Sequence, residues 1–500
     1  MRVTCAASRK AAESDQHLYR RLTSYFTPTE QRGVGSLAAR IVAAAGGPDG
    51  LPMHRIMVAY GGGKDSSYVV AFARAAQLAL QLEHGRTFPL RVANMRHAGV
   101  THAVMQNIHR VYSALQMMGD PRVELLTVDH TEIRPFRVDL PFPPRVREMN
   151  RVDVLMNGHM SGGDGRPTFC NSCNLSVADF YGRAAWWSGG VNAIMTGDSR
   201  REQAMYRNWI MRLADACGLD VAECRRRGFR GVLSAVQGIG DAYFRELFGD
   251  DDEELSKRAV ATGDGAVDPE FLSIYDLVSY RVDDHWDLIV GFLGFEFDDL
   301  AFSFTESDCA NPGLMAHLRG LRAESVEGRT YEDGIAQYLQ FADFLMRRKE
   351  MPTDLIRLAL ARYDTADKVR ERRRAAAEFA EQAFGLDEDA LIAMVHSPFA
   401  GGGARLKTWL AARHPDRLPS LTALHAVLDG GPGEQGEEWL QRVTGLDIAR
   451  LRQLYGNAAV DFESSSSIMA RVRAGDPHKL QIEVVNPSTG RAATQTISGR

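Results

Sequence analysis

Long apolar runs are missing from this chain. None reaches the roughly 18–20 residues that a membrane-crossing helix needs, so no membrane partner is expected. Met1 to Lys10 lacks the apolar centre of a secretory signal. Cysteine is scarce, six in 500 residues, which excludes a disulfide scaffold; a cytoplasmic protein with reduced thiols is expected. Excess positive charge is also missing. The net charge is −5, so nothing draws the whole chain towards nucleic acid. Two local basic runs, Arg225 to Arg227 with Arg230 and Lys368 to Arg374, read as solvated helix faces. The second residue is arginine rather than cysteine, so no built-in glutaminase with an N-terminal nucleophile is expected.

Hydrophobic residues make up 45% and charged residues 25%, the balance of an ordinary globular protein. At 500 residues the chain exceeds the roughly 250–300 residues at which a single core stops growing, which suggests two or three domains.

The most informative segment is Val58 to Ser67, reading Val-Ala-Tyr-Gly-Gly-Gly-Lys-Asp-Ser-Ser. It follows a short apolar run from Ile56 and precedes a good helix former, Tyr68 to Ala76. The order is strand, glycine turn, helix. Glycines let the backbone approach a ligand closely and accept positive φ. Free N–H groups of the turn and of the new helix then favour an anion, and Lys64 adds a positive charge. Phosphate binding is the chemistry suggested. The spacing is neither that of the common P-loop nor that of a dinucleotide fingerprint.

Strand and helix patterns continue from here. Ile56 to Tyr60, Leu90 to Met95, Val123 to Val128 and a run from Val191 read as strands; about Ser67 to Glu83 and Thr101 to Met118 read as helices. This alternation predicts an α/β, doubly wound parallel sheet, with ligands at the carboxyl ends of its strands. Residues 139–169, rich in proline and glycine, read as a long irregular loop of the lid or binding type. Asp250 to Glu254 reads as a solvated acidic linker and Trp286 to Phe297 as a buried segment. From about Thr330 to Leu454 the chain reads as mostly helical. A hairpin of Ile468–Val472 with Leu480–Val485 and a loose tail are expected to follow. The expected division is a helical extension over 1–50, a nucleotide-binding domain over 51–325, a helical domain over 326–460 and the hairpin with its tail over 461–500.

Gly61-Gly62-Gly63-Lys64-Asp65-Ser66 resembles the PP-loop of the ATP pyrophosphatases, usually written Ser-Gly-Gly-x-Asp-Ser. It departs only at Gly61, which replaces the serine, so one hydroxyl contact is missing or supplied by Ser67. The resemblance covers about residues 51–320 and implies a fold like the adenine nucleotide α-hydrolases. It implies ATP with Mg²⁺ as cofactors: Tyr60 to Ser67 would line the phosphates, Lys64 and Asp65 would act in catalysis, and adenine would lie near Met95. Thr196-Gly197-Asp198-Ser199 follows the fourth strand. In the resembled family such a segment lines the nucleotide, so Gly197 and Asp198 are candidate contacts and Asp198 a candidate Mg²⁺ ligand. The alternative is that Asp198 merely caps the next helix. Arg200 and Arg201 follow, and one of them could face substrate; Arg200 is the candidate for catalysis. Asp129-His130, at the end of the third strand, reads either as a contact or as a plain turn.

Cys170-Asn171-Ser172-Cys173 is the other feature that carries chemistry. With Cys309, in a polar turn, it could form a three-thiolate site for zinc or for an iron–sulfur cluster; plain thiols are the competing reading. Some PP-loop enzymes that thiolate tRNA have such a cysteine set, although here the third cysteine lies further along the chain.

The implied activity is that of an ATP-dependent ligase, which adenylates a carbonyl or carboxylate, releases pyrophosphate and forms an amide or other C–N bond on a small-molecule or carrier-bound substrate. Ammonia would come from a separate glutaminase. Sulfur transfer to tRNA or a metabolite, with a separate sulfur donor, is the second expectation, tRNA being disfavoured by the acidic balance. A non-catalytic nucleotide-binding protein is the third. The helical region is expected to build the substrate pocket or a homodimer interface.

Overall fold

The computed structural model describes residues 2–261, 263, 267–278, 285–298, 300, 309–348, 351–462, 464, 466–474, 479–485 and 492–498. Among them, six strands form one sheet: β1 (Ile56–Ala59), β2 (Leu90–Met95), β3 (Val123–Asp129), β4 (Glu132–Pro135), β5 (Ala193–Met195) and β6 (Glu270–Phe271). Their spatial order is β4-β3-β2-β1-β5-β6. Only β4, a hairpin return from β3, is antiparallel; β3, β2, β1, β5 and β6 run parallel. β1 pairs Val58 with Val92 on one side and with Met195 on the other. The order reverses between β1 and β5, because the chain first builds outward through β2 and β3 and then returns to the other flank of β1.

Helices cover both faces, as a parallel sheet requires. Along β1 the side chains alternate. Ile56 and Val58 join one apolar cluster with α1 (Arg2–Thr23), α2 (Pro28–Ala44), α3 (Lys64–His84) and α4 (His102–Ala114). Met57 and Ala59 join another, which includes Phe180, Ala184 and Ala185. Those three lie on α6 (Ser172–Trp186), which follows α5 (Pro144–Ser161). The expected doubly wound α/β class therefore describes the sheet that is seen.

Packing crosses the expected domain boundaries. Leu18, Leu22, Val34 and Ile41 of the first 50 residues share a cluster with Phe72 of α3. A larger cluster joins α5 and α6 to α7 (Arg200–Ala216), α8 (Val221–Arg226), α9 (Gly228–Phe248), α11 (Asn311–Ser325), α12 (Tyr331–Arg348) and helices beyond residue 400. The short α10 (Asp252–Ser256) is pinned to it through Glu254 and Arg258.

Two segments differ from expectation. Residues 139–169 are not one irregular loop but largely α5. Pro143 is its N-cap, Pro144 opens its first turn, and Gly162 closes it at φ 62°. Proline fits a first helical turn because no N–H partner is lost there, and glycine fits the left-handed closing residue, so the residues that suggested a loop are punctuation. Ile468–Val472 is likewise not a strand but lies in a helix, Ile468–Ala474; the hairpin is β7 (Lys479–Val485) with β8 (Ala492–Ser498). The short Ile468–Val472 run had no length with which to separate helix from strand. Part of the expected tail is therefore β8. Phe304 to Asp308, the polar turn ahead of Cys309, lies outside the described residues.

The acidic run at 250–254 is only partly solvated. Asp251 caps α10, and the Glu254 side chain is buried. Glu254 accepts hydrogen bonds from Lys257 at 2.6 Å and Arg258 at 2.9 Å, while Arg450 pairs with it at 3.0 Å. Burial opposes ionisation, but these hydrogen bonds and the charges of Arg258 and Arg450 outweigh it and pull the carboxyl down to about 2. Since the folded value is depressed from 4.5, the stabilisation is present above about 4.5 and lost as pH falls towards about 2. Denaturant midpoints measured across that window should fall more steeply for the wild type than for Glu254→Gln. Parallel curves would contradict this assignment.

Candidate functional site

β1 is short, apolar and buried throughout, and the chain stays in register one residue past it. The Tyr60 N–H donates to the Ala93 carbonyl at 2.9 Å, and the Asn94 amide donates to the Tyr60 carbonyl at 2.9 Å. The turn then breaks away. Gly62 has φ 88°, and a Cβ placed on it would meet Val104 of α4 at 2.6 Å. Both conformation and space therefore demand glycine. Gly63 caps α3 in an extended conformation and offers no side-chain hydrogen bond; a glycine at a helix start lets an anion approach the first amides closely.

Lys64 is buried, its ammonium 3.5 Å from an Asp65 carboxylate oxygen. Ser66, half-buried, donates to the Gly63 carbonyl at 3.1 Å. Ser67 is fully buried, with its hydroxyl 2.9 Å from that of Tyr60 and 2.8 Å from the Gly63 carbonyl. The part-exposed hydroxyl beside the turn is thus that of Ser66, not of Ser67, which sequence alone offered as a substitute for the serine missing at Gly61.

The segment after β5 lies against this turn. A Cβ built on Gly197 would sit 3.0 Å from the Ser66 nitrogen and 3.2 Å from its Cα. Backbone therefore approaches backbone, and a side chain at Gly197 would fit only if the Ser66 backbone gave way by a few tenths of an ångström. Thr196 braces the loop: its hydroxyl accepts from the Asp198 N–H at 3.1 Å and lies 3.2 Å from the Asp198 carboxylate. Gln203 donates to the Asp198 carbonyl at 3.1 Å. Asp198 does not cap α7. Ser199 does, in a reciprocal box with Glu202, which leaves the Asp198 carboxylate on the loop.

Tyr275 completes the loop from the segment after β6, donating its hydroxyl to the Gly197 carbonyl at 2.9 Å. Burial, then the charges of Asp65, Asp198 and Glu202, push its pKa well above the ordinary value. Three carboxylates thus act on one part-buried hydroxyl, and Tyr275 is a site residue that sequence reading did not find. Nothing local marks it, since only the fold brings it to Gly197. Arg200, expected in catalysis, is two-thirds exposed and bonded to Asp276 at 3.1 Å; it lines a cleft beside Asp198.

The other predicted residues lie elsewhere. Met95, at the end of β2, lines a narrow cavity of about 80 Å³ together with His130 and Cys173. Asp129 is fully buried between Arg96, at 2.7 and 2.8 Å, and Arg134. Arg96 also donates to the carbonyls of Leu140 and Pro141, so Asp129 is an anchor for the segment leading into α5. His130 sits at φ 54° with a ring nitrogen 3.5 Å from Asp179; burial lowers its pKa more than Asp179 raises it.

Cys170 is buried in a π-helical turn, Pro167–Asn171, Cys173 is half-buried in the first turn of α6, and Cys309 is buried just ahead of α11. Asn311 links two of these segments, its amide 3.0 Å from the Phe169 carbonyl and 4.0 Å from the Cys170 sulfur. Among the described residues, no group of three or more histidine, cysteine, aspartate or glutamate side chains is placed to hold a metal ion. The expected three-thiolate centre is therefore not gathered. Mg²⁺ asks for less, since one or two carboxylates beside phosphate oxygens and water suffice; the charges of Asp65 and Asp198 both act on the Tyr275 hydroxyl. Among the described residues no helix is long and apolar enough to cross a membrane.

The chain matches no protein-family model, no curated protein and no solved structure.

Gly62→Ala should cost about 2–4 kcal/mol, combining a strained φ with overpacking against Val104. Urea denaturation would read this as a lower midpoint at an unchanged slope; an unchanged midpoint would contradict the geometry.

Proposed function

We propose that the chain is an ATP-dependent ligase of the PP-loop pyrophosphatase class. One observation carries the reading. The glycine turn after β1 and the Thr196–Ser199 loop after β5 meet at the carboxyl ends of adjacent parallel strands, where the strand order reverses. Open α/β sheets bind their ligands at that position, and here it presents a helix N-terminus opened by glycine, a buried lysine and a braced aspartate.

In this reading the β- and γ-phosphates of ATP lie on the amides of Gly62 to Ser66, with the Lys64 ammonium balancing their charge. Bound Mg²⁺ would neutralise phosphate charge, with Asp198 and Asp65 as its protein ligands. A carbonyl or carboxylate oxygen of the acceptor attacks the α-phosphorus, the bond to the bridging oxygen breaks, and pyrophosphate leaves. A nitrogen nucleophile then adds to the adenylated carbon and AMP departs. The residues contribute positioning and charge stabilisation: Gly197 keeps the two loops in contact, Thr196 and Gln203 hold the Asp198 segment, and Tyr275 fixes the Gly197 carbonyl. The nitrogen is that of an amine substrate or of ammonia from a separate glutaminase.

Sulfur transfer is a second reading, favoured by Asn311, which brings the Cys309 segment beside Cys170. Iron and sulfide in anaerobically purified protein would move the assignment there.

Methylanthraniloyl-ATP with Mg²⁺ should bind the wild type. Lys64→Ala should weaken that binding by about 10–100-fold, the range of a hydrogen bond to a charged group. Equal binding by the variant, or none by the wild type at millimolar nucleotide, would contradict the reading.

A further inference from the structure

A cleft of about 1030 Å³ opens beside Asp198, between α6, α7, α9 and β6. That volume is at the upper end of what small-molecule sites enclose. Helix α7 forms one wall. Arg200, Gln203, Arg207 and Met211 all line the cleft, and their spacing of three, four and four residues sets them along one helix face. The opposite wall is apolar, with Val177 of α6 and Val232 and Leu233 of α9. At the β6 edge Phe229 and Phe271 meet with ring centroids 5.9 Å apart.

Charge is distributed unevenly along this wall. Asp198 and Glu202 mark the end next to the glycine turn, and Arg207 and Arg225 line the cleft further out. Three other arginines nearby are ion-paired: Arg200 with Asp276, a carboxylate it shares with Arg40, Arg226 with Glu223, and Arg230 with Asp268. Arg207 and Arg225 are both exposed and line the cleft, and among the described residues neither makes an ion pair. At about 1.5 Å of rise per residue, Arg207 lies about 10 Å along α7 from Arg200.

We propose that this cleft is the acceptor site, and that the acceptor is a small molecule with an apolar or aromatic body and a terminal anionic group. The reacting carbonyl lies at Asp198, the body against Val232 and Phe229, and the carboxylate or phosphate terminus on Arg207 and Arg225. The arginine fork suits either anion. The proposal rests on the ligase reading, which places the α-phosphate next to Asp198.

The test uses the full chain and three fluorescent probes of similar length: dansyl-aminohexanoate, dansyl-aminohexyl phosphate and neutral dansyl-hexylamide. The wild type should bind at least one anionic probe about tenfold or more tightly than the neutral one, and whichever anion leads tells carboxylate from phosphate. The double variant Arg207→Ala/Arg225→Ala changes two exposed side chains; it should lose the preference while keeping its affinity for the neutral probe and for methylanthraniloyl-ATP. Val232→Trp, which fills the apolar wall, should weaken all three probes. Equal binding of the probes by the wild type, a preference that survives the double variant, or binding indifferent to Val232→Trp would each overturn the proposal. Failure of the wild type to bind the nucleotide while the probes are still discriminated would overturn it through its premise, an outcome distinguishable from the other three.

Discussion

The structure around the candidate site depends on one close approach, the backbone of Gly197 against the backbone of Ser66. It is possible because β1 and β5 are neighbours in parallel register and end together, Val58 opposite Met195. Each strand hands over to a loop and then a helix, so two helix starts, α3 and α7, open at the carboxyl end of the sheet. Interiors pack to near crystal density, and even one methyl group at Gly197 would have to displace the turn that holds Lys64 and Ser66.

The surroundings fix these two loops. Gly62 is locked against Val104 of α4 on one sheet face, while α6 packs under Met57 and Ala59 on the other. Tyr275, returning after β6, donates to the Gly197 carbonyl. The loops are therefore held from both faces and from the sheet edge, which is the preorganisation that charge-stabilising sites need. The long helical region closes the far side through the cluster that joins α5 to residues beyond 400. It forms the scaffold for α7 and α9, and so for the cleft beside Asp198.

Much of this was legible in the sequence. Strand, glycine turn and helix at 56–84 are encoded locally, by an apolar run, three glycines and a continuous helix former, and the β2 and β3 runs carry the same short-range pattern. What was not legible depended on contacts between distant residues. Ser199 rather than Asp198 caps α7, although Glu202 three residues on carries the signature of a capping box. Tyr275 reaches Gly197 only through the return of the chain after β6. The role of Ser67 depended on where Tyr60 points. The prolines at 143 and 144 carried two meanings, loop or helix start, and only the packing of α5 against its neighbours selects one. Asp129, read as a contact or a turn, is instead a buried partner of two arginines.

The central claim is that the meeting of these two loops is a triphosphate site. The most direct measurement is a crystal structure of the full chain with a non-hydrolysable α,β-methylene analogue of ATP and Mg²⁺. The account predicts the terminal phosphates on the amides of Gly62 to Ser66, the ion within reach of Asp198, and the α-phosphate facing the cleft along α7. An analogue bound elsewhere, or a glycine turn left empty at saturating analogue, would contradict it.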